Sequence, residues 1–366
     1  MSEIKHIKDV LKGVGNTLRG KPYRAGIIGA TGYAGIELVR ILASHPSVEI
    51  AALSSVSYEG KKLSEVYPAL YQICDMVLTD EDDVIEKSDV VFTSLPSGLS
   101  EKIARKCFDQ DVLLIDLGAD FRLNDEAAYR EWYKLDYAER ELHGHSVYCI
   151  PELHRSRLTE EVQIVGNPGC YPTSIGLALA PIVKAGLAQL DSIVIDSKSG
   201  VTGAGRGLTL NSHYPECNEA FAPYKIAAHR HTPEIEQTLS EIAGQEVHVT
   251  FVPHLLPVNR GILSTIYLTL KPNTNRENIV ELYEEFYKNE QFVRVLPQGQ
   301  IANIKYVTYS NYCDVSLHFD SRTNRLILVS AIDNMVKGAA GQAVQNMNLL
   351  FGLPEAQGLN LVPPAI

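Results

Sequence analysis

The chain lacks the features that would tie it to nucleic acid, a membrane or an oxidising compartment. It has no excess of positive charge. Against 33 lysines and arginines stand 44 acidic residues, a formal charge of -11, so no basic surplus exists to neutralise a phosphodiester backbone. An anionic small molecule is not excluded, because local fields matter more than the total. Its six cysteines are scattered, with no Cys-x-x-Cys pair and no metal-like cluster. That argues against a disulfide framework or a metal centre and for a reducing cytoplasm. Its longest apolar run, Ile175 to Val183, is far too short to span a bilayer. No internal repeat or low-complexity segment is present. The first residues carry Lys5, Lys8, Asp9 and Lys12 among apolar neighbours and show no signal-peptide block. The Ile4, Ile7, Leu11 spacing is that of a short helical extension over residues 1–21.

What remains is an ordinary globular composition, 45% hydrophobic and 21% charged, in 366 residues, a length that two domains fill more naturally than one. The first half alternates short apolar strands (Tyr23 to Ile28, Val48 to Ser54, Asp89 to Ser94, Val112 to Asp116) with helical stretches such as Tyr33 to Ser44. This is the pattern of a parallel sheet covered by helices. Later strands, at Ser192 to Ser197, Val247 to Val252, Ile262 to Leu270, Val315 to Phe319 and Leu326 to Ala331, have fewer helices between them and suggest a mostly antiparallel α+β domain. A final helix near Asn334 to Leu350 is rich in glycine and alanine and can pack closely.

Gly29-Ala30-Thr31-Gly32-Tyr33-Ala34-Gly35 lies between the first strand and the first helix, where a pyrophosphate rests on a helix N-terminus. The acidic residue that holds the ribose 2′-hydroxyl in NAD enzymes is missing after the second strand. Ser54, Ser55 and Ser57 stand there instead, with Lys61 and Lys62 behind, which favours NADP/NADPH. Pro96 and Ser97, after a strand at the carboxyl edge of the sheet, fit the same dinucleotide, and Asn334 could bond a carboxamide.

The chemistry centres on Gly166-Asn167-Pro168-Gly169-Cys170-Tyr171-Pro172-Thr173. Asn-Pro-Gly forces a turn, and Ser174 to Leu187 reads as a helix with Pro172 in its first turn. A thiol at a helix entrance faces unpaired N–H groups and the positive end of the dipole, which lowers its pKa from about 8.5 and favours the thiolate. A thiolate beside a nicotinamide suggests attack on an acyl phosphate followed by hydride reduction of the thioester. The acid–base candidates are His229 and His231, which flank Arg230 just before Thr232 and Pro233, a cap and first helical residue. Arg206, in the glycine-rich loop Gly200–Gly207, together with Arg122 and Arg260, could meet the anionic substrate.

These segments, with DLGADFRL (116–123), SGVTGAGRG (199–207), PHLLPVNRGI (253–262) and DNMVKGAAGQAVQNMN (333–348), run in order from about residue 24 to 352. The chain resembles the N-acetyl-gamma-glutamyl-phosphate reductases, a family related in fold to aspartate-semialdehyde dehydrogenase. The resemblance implies a Rossmann-type dinucleotide-binding domain over 22–168 and 334–366, and an α+β catalytic and dimerisation domain over 169–333. It also implies Cys170 as nucleophile, His229 as acid–base, His231 as substrate contact, NADPH, a cytoplasmic homodimer or homotetramer, and an arginine-biosynthetic acyl-phosphate substrate. Where relatives often carry Ser-Arg-Ser, this chain has Ser55-Val56-Ser57.

Overall fold

The alternation in the first half becomes a single sheet. In the computed structural model, which describes residues 21–365, strands β1 (Tyr23–Ile28), β2 (Val48–Ser54), β3 (Leu78–Thr79), β4 (Val90–Thr93), β5 (Leu113–Asp116), β6 (Ser146–Tyr148) and β7 (Ile164–Gly166) lie in the order β3-β2-β1-β4-β5-β7-β6. Every pairing is parallel. β4 and β5 are buried along their whole length, as strands covered on both faces must be. The strand order reverses between β1 and β4, so their carboxyl ends frame the crevice in which open α/β sheets hold ligands. The helix Tyr33–Leu42 packs on β1 and β2 and buries Leu38, Val39, Ile41 and Leu42. The expected extension before residue 21 lies outside the described residues.

The second sheet is mixed. β8 (Ala188–Gly200), β9 (Ala222–Pro223), β10 (Thr250–Leu256), β11 (Ile262–Leu270), β12 (Val293–Val295), β13 (Cys313–Asp320) and β14 (Arg325–Ile332) lie in the order β12-β13-β14-β11-β8-β10-β9. Only β8–β10 and β12–β13 pair in parallel. The helix Cys170–Lys184, buried from Tyr171 to Val183, packs on β8, β11 and β14. Ser174 is the hub of a buried hydroxyl chain, 3.0 Å from both Ser264 and Ser330, with Ser197 2.8 Å beyond Ser264. These bonds dock the helix on three strands without leaving a buried hydroxyl unsatisfied.

Among the described residues the chain divides into two units. One runs to Pro168 and resumes over Ala339–Asn360; the other is Gly169–Gly338 with the last residues from Leu361. Residues 334–338 and the tail, expected in the first, fall in the second. Asn334 shows why: its side chain accepts from the Gly261 N–H at 2.7 Å and donates to Thr202 Oγ1 at 3.0 Å.

Several elements differ from expectation, and β8 runs Ala188–Gly200 rather than Ser192 to Ser197. β10 begins at Thr250 rather than Val247, because the Val247 and Val249 N–H groups bond to Ser240 and Glu236 of the helix Thr232–Ala243. The cysteine helix begins at Cys170, four residues early, and ends at Lys184. The C-terminal helix is two pieces, a π-helical turn Val336–Ala340 and an α-helix Gly341–Leu350.

Candidate active site

In the first unit the glycine turn has the shape a dinucleotide needs. Gly29 has φ +88°, and a Cβ there would lie 2.5 Å from the Ser94 carbonyl oxygen. A Cβ on Gly35 would lie 2.3 Å from the Gly29 oxygen, so the helix is seated directly on the turn. Gly32 is the N-cap, with no side-chain cap bond, and the first N–H groups of the helix, from Tyr33, Ala34 and Gly35, have no intrahelical acceptor. These residues fit a pyrophosphate. Thr31 and Ser55, both buried, bond to each other through their hydroxyls at 2.6 Å, and Tyr67 donates to the Thr31 carbonyl at 2.9 Å. Ser57 stands in the exposed loop after β2, with no carboxylate at the strand end.

A second helix entrance in this unit is closed. At Ser100–Asp109 the Asp120 carboxylate accepts the Gly98 and Ser100 N–H groups at 2.7 and 2.9 Å. Beside it, Asp116 is fully buried, and its carboxyl is pushed up to about 6 by burial and by Asp120. The loop bearing Pro96 and Ser97 is thereby fastened at the carboxyl edge, with Pro96 exposed and Ser97 half-buried.

The second unit carries the candidate cysteine and histidines. Cys170 is the first residue of its helix, after the extended N-cap Gly169, and is partly accessible, whereas Cys74, Cys107, Cys149 and Cys313 are buried. Burial pushes the Cys107 thiol up to about 12. The Gly169 N–H donates to Glu234 Oε1 at 2.7 Å, and Glu234 is fully buried. The Gly169 carbonyl accepts from the Thr173 N–H and hydroxyl at 3.0 and 2.9 Å. The cysteine turn is therefore held at the two peptide groups that flank Gly169.

His229 and His231 form an aromatic cluster with Tyr171, the residue after Cys170. The Tyr171 ring meets those of His229, His231 and Phe251 edge-on at 5.4, 5.9 and 5.2 Å, and the two imidazoles are 4.9 Å apart. Tyr224 lies 5.5 Å from His229, with its hydroxyl 3.1 Å from that of Tyr171. Burial pushes the Tyr224 phenol up to about 12, with a smaller push from the nearby Cys170. Burial, helped by Lys225 and Arg230, lowers the His229 pKa to about 3. His229 Nδ1 accepts the His231 N–H at 3.1 Å, so in the neutral ring the proton sits on Nε2. His231 is itself the N-cap of the helix Thr232–Ala243, one residue earlier than Thr232.

The three candidate arginines differ in what they touch. Arg122 is buried and donates to the carbonyls of Asn167 and Leu117 at 2.9 and 2.7 Å, bracing the turn that precedes the cysteine. Arg260 lies 3.5 Å from the buried Asp333 and stacks on Tyr309. Arg206 is half-buried in its glycine loop, where the Gly200, Val201 and Thr202 N–H groups already bond to the carbonyls of Gly261, Val258 and Asn259. Asn334 likewise has its amide engaged within the second unit. Sequence reasoning gave no role to Glu234, Tyr224 or Gly338. A glutamate two residues into a helix looks like a capping residue, and nothing local marks it as the partner of a glycine 65 residues away.

The family model "Semialdehyde dehydrogenase, NAD binding domain" matches residues 24–161, and "Semialdehyde dehydrogenase, dimerisation domain" matches 170–334. An N-acetyl-gamma-glutamyl-phosphate reductase of Brachyspira hyodysenteriae is 59% identical, covering 93% of this chain and 99% of its own. That of Clostridium beijerinckii is 56% identical over the same shares. Among solved structures, aspartate semialdehyde dehydrogenase II of Vibrio cholerae superposes with a TM-score of 0.70 at 18% identity, over 90% of this chain and 98% of that one. The Candida albicans aspartate semialdehyde dehydrogenase with NADP gives 0.66, also at 18% identity and over the same shares. At such identities the likeness shows the fold.

Proposed function

The chain belongs to the N-acetyl-gamma-glutamyl-phosphate reductase family, and from that membership we propose that it reduces N-acetyl-L-glutamyl 5-phosphate to N-acetyl-L-glutamate 5-semialdehyde and phosphate, with NADPH, in arginine biosynthesis. The observation that carries the reading is Cys170 as the partly accessible first residue of a buried helix, whose next residue, Tyr171, packs edge-on against a neutral His229.

The Cys170 sulfur attacks the acyl carbon, and phosphate leaves with the electrons of the C–O bond, giving a thioester. NADPH supplies the hydride that reduces it. The resulting hemithioacetal oxygen takes a hydrogen bond from His229 Nε2–H, and its collapse returns the electrons of the C–S bond to Cys170 and frees the aldehyde. A buried neutral imidazole with a fixed tautomer suits this better than an imidazolium would, since its proton is aimed by the His231 N–H on its other nitrogen.

Dinucleotide binding is assigned to the unit of residues 22–168 with 339–360, and catalysis and self-association to the unit of 169–338. Gly29, Thr31, Gly32, Tyr33, Ala34 and Gly35 hold the pyrophosphate side, Ser55 and Ser57 the adenosine 2′-phosphate, and Pro96 and Ser97 the nicotinamide side. His231, Arg206, Arg122 and Arg260 are assigned to the substrate. Among the described residues no helix is long and apolar enough to cross a membrane. The assigned form is a cytoplasmic homodimer or homotetramer, in keeping with the dimerisation-domain match.

Purified protein with N-acetylglutamate 5-semialdehyde and phosphate should reduce NADP, and Cys170→Ser should abolish this. Turnover restricted to another aldehyde would replace the substrate assignment. Cofactor binding without turnover of any aldehyde would overturn the enzymatic one.

A further inference from the structure

We propose that Gly338 is a positioning residue for the nucleophile, and that the π-helical turn carrying it is the wall against which Cys170 is set. The proposal rests on the reading of Cys170 as the nucleophile. A Cβ at residue 338 would stand 2.8 Å from Cys170 Cβ and 3.2 Å from Cys170 Cα. Ordinary carbon contacts lie at about 3.5–4.0 Å, so any side chain at 338 demands a shift of roughly 1 Å.

Backbone conformation does not explain the glycine, since Gly338 is absent from the residues with positive φ. Its one distinguishing property is the missing side chain, and the space it leaves is filled by the backbone side of the cysteine. Cα and Cβ do not move when χ1 turns, so no rotamer of the thiol relieves the clash. Either the turn or the helix entrance must move.

Both are pinned. The Gly338 N–H donates to the Asp333 carbonyl at 2.9 Å, the wide-turn bond that makes this a π-helical segment. The Asp333 carboxylate, fully buried, accepts from the Met335 and Val336 N–H groups at 2.7 and 3.2 Å and from the Tyr309 N–H at 2.6 Å. Opposite, the peptide before Cys170 is held through Gly169 to Glu234 and Thr173. Two fixed backbones meeting at one side chain give the thiol a defined place, and π-turns recur at functional sites for such local adjustments. A displacement of about 1 Å at a reacting atom costs on the order of 10²-fold in rate.

The test compares wild type, Gly338→Ala, Cys170→Gly and the Cys170→Gly/Gly338→Ala pair. In Gly338→Ala, kcat should fall on the order of 10²-fold. The NADP dissociation constant should stay within about twofold, and alkylation of Cys170 by iodoacetamide should change in rate and in pH profile, reporting a moved thiol. The melting temperature should drop more on adding Gly338→Ala to wild type than on adding it to Cys170→Gly, because the nearest obstructing atom, the Cys170 Cβ, is gone and only the 3.2 Å approach to Cα and the 3.3 Å approach to Ile332 Cδ1 remain. An unchanged kcat and alkylation profile in folded Gly338→Ala would overturn the proposal, as would an equal loss of melting temperature in both backgrounds. Should Gly338→Ala not fold, folding of the double variant supports the contact and its failure refutes it. Activity surviving in Cys170→Ser would instead strike at the nucleophile reading, whatever Gly338 does.

Discussion

The two units solve the problem of a reactive site with different materials. In the first the proposed working groups are largely backbone: three glycines fold a turn onto a helix and leave its first N–H groups without intrahelical acceptors, while Thr31 and Ser55 bond to each other beside it. In the second the proposed working groups are the side chains of Cys170 and His229, and backbone is what gets braced, by Glu234, Thr173 and Asp333. A site made of amides binds charge and tolerates many side chains as long as the glycines remain. A site made of a thiol and an imidazole tolerates almost no change at those two residues, but its sheet can be mixed and irregular.

Substitutions should respect that division. The largest effect is expected from Cys170→Ser. Phosphate-dependent NADP reduction should fall on the order of 10⁴-fold or more while NADP titrates as in wild type. Next is His229→Asn, which keeps an acceptor for the His231 N–H but removes the acid–base; kcat should fall roughly 10²- to 10⁴-fold, again with cofactor affinity unchanged. Activity within a few-fold of wild type would move the proton-transfer role to His231.

Gly29→Ala breaks the comparison from the other side. A side chain at φ +88° and 2.5 Å from the Ser94 oxygen deforms the turn, at a cost of about 1–3 kcal/mol. Calorimetric titration should show weakened NADP binding, while the rate of Cys170 alkylation in the free protein stays put. A parallel loss of thiol reactivity would show that the two sites are not built independently.

The smallest effect is graded with pH. Burial holds His229 in one unit and His154 in the other down to about 3. The unfolded chain takes up these protons near 6.5, so stability is fully present above that pH, and it falls with acidification through the window down to about 3. Each histidine should contribute up to about 2 kcal/mol of loss between pH 6.5 and 5. His154→Asn, which can still accept the Ile150 N–H, should flatten the acid limb of a denaturation–pH series by that share. An unaltered limb would mean that His154 titrates normally.

Much of this was legible in the residues, for identifiable reasons. β1, β2 and β11 fall where expected because their apolar runs or alternation are long and end at turn-forming or polar residues. β6 and β7, three residues each, carry too little pattern to be read. The place of Cys170 at a helix entrance was legible because Asn-Pro-Gly-Cys compresses turn, cap and thiol into four neighbours. Arg122 was not, because its partner carbonyl at Asn167 is 45 residues away, and an arginine committed to carbonyls looks, in sequence, like one committed to a ligand. The π-turn was invisible for a different reason: glycine and alanine permit both the ordinary and the wide turn, and the choice is made by Asp333 and the approach to Cys170.

The first unit is interrupted, and this bears on how the chain is made. The start of β1 is met by the far end of the chain: Tyr23 stacks flat on Phe351 at 4.0 Å, His45 bonds to Asn348 at 3.1 Å, and Gln357 reaches Ser47 at 2.9 Å. A ribosome working from residue 1 therefore delivers the glycine turn early but withholds the helix that closes its back until about 340 residues have been joined. The mixed sheet, complete at Ile332, is available before that. Vectorial synthesis thus favours a nascent protein whose thiol-bearing unit is already shaped while the cofactor unit waits, open on one side, for the last turn of chain.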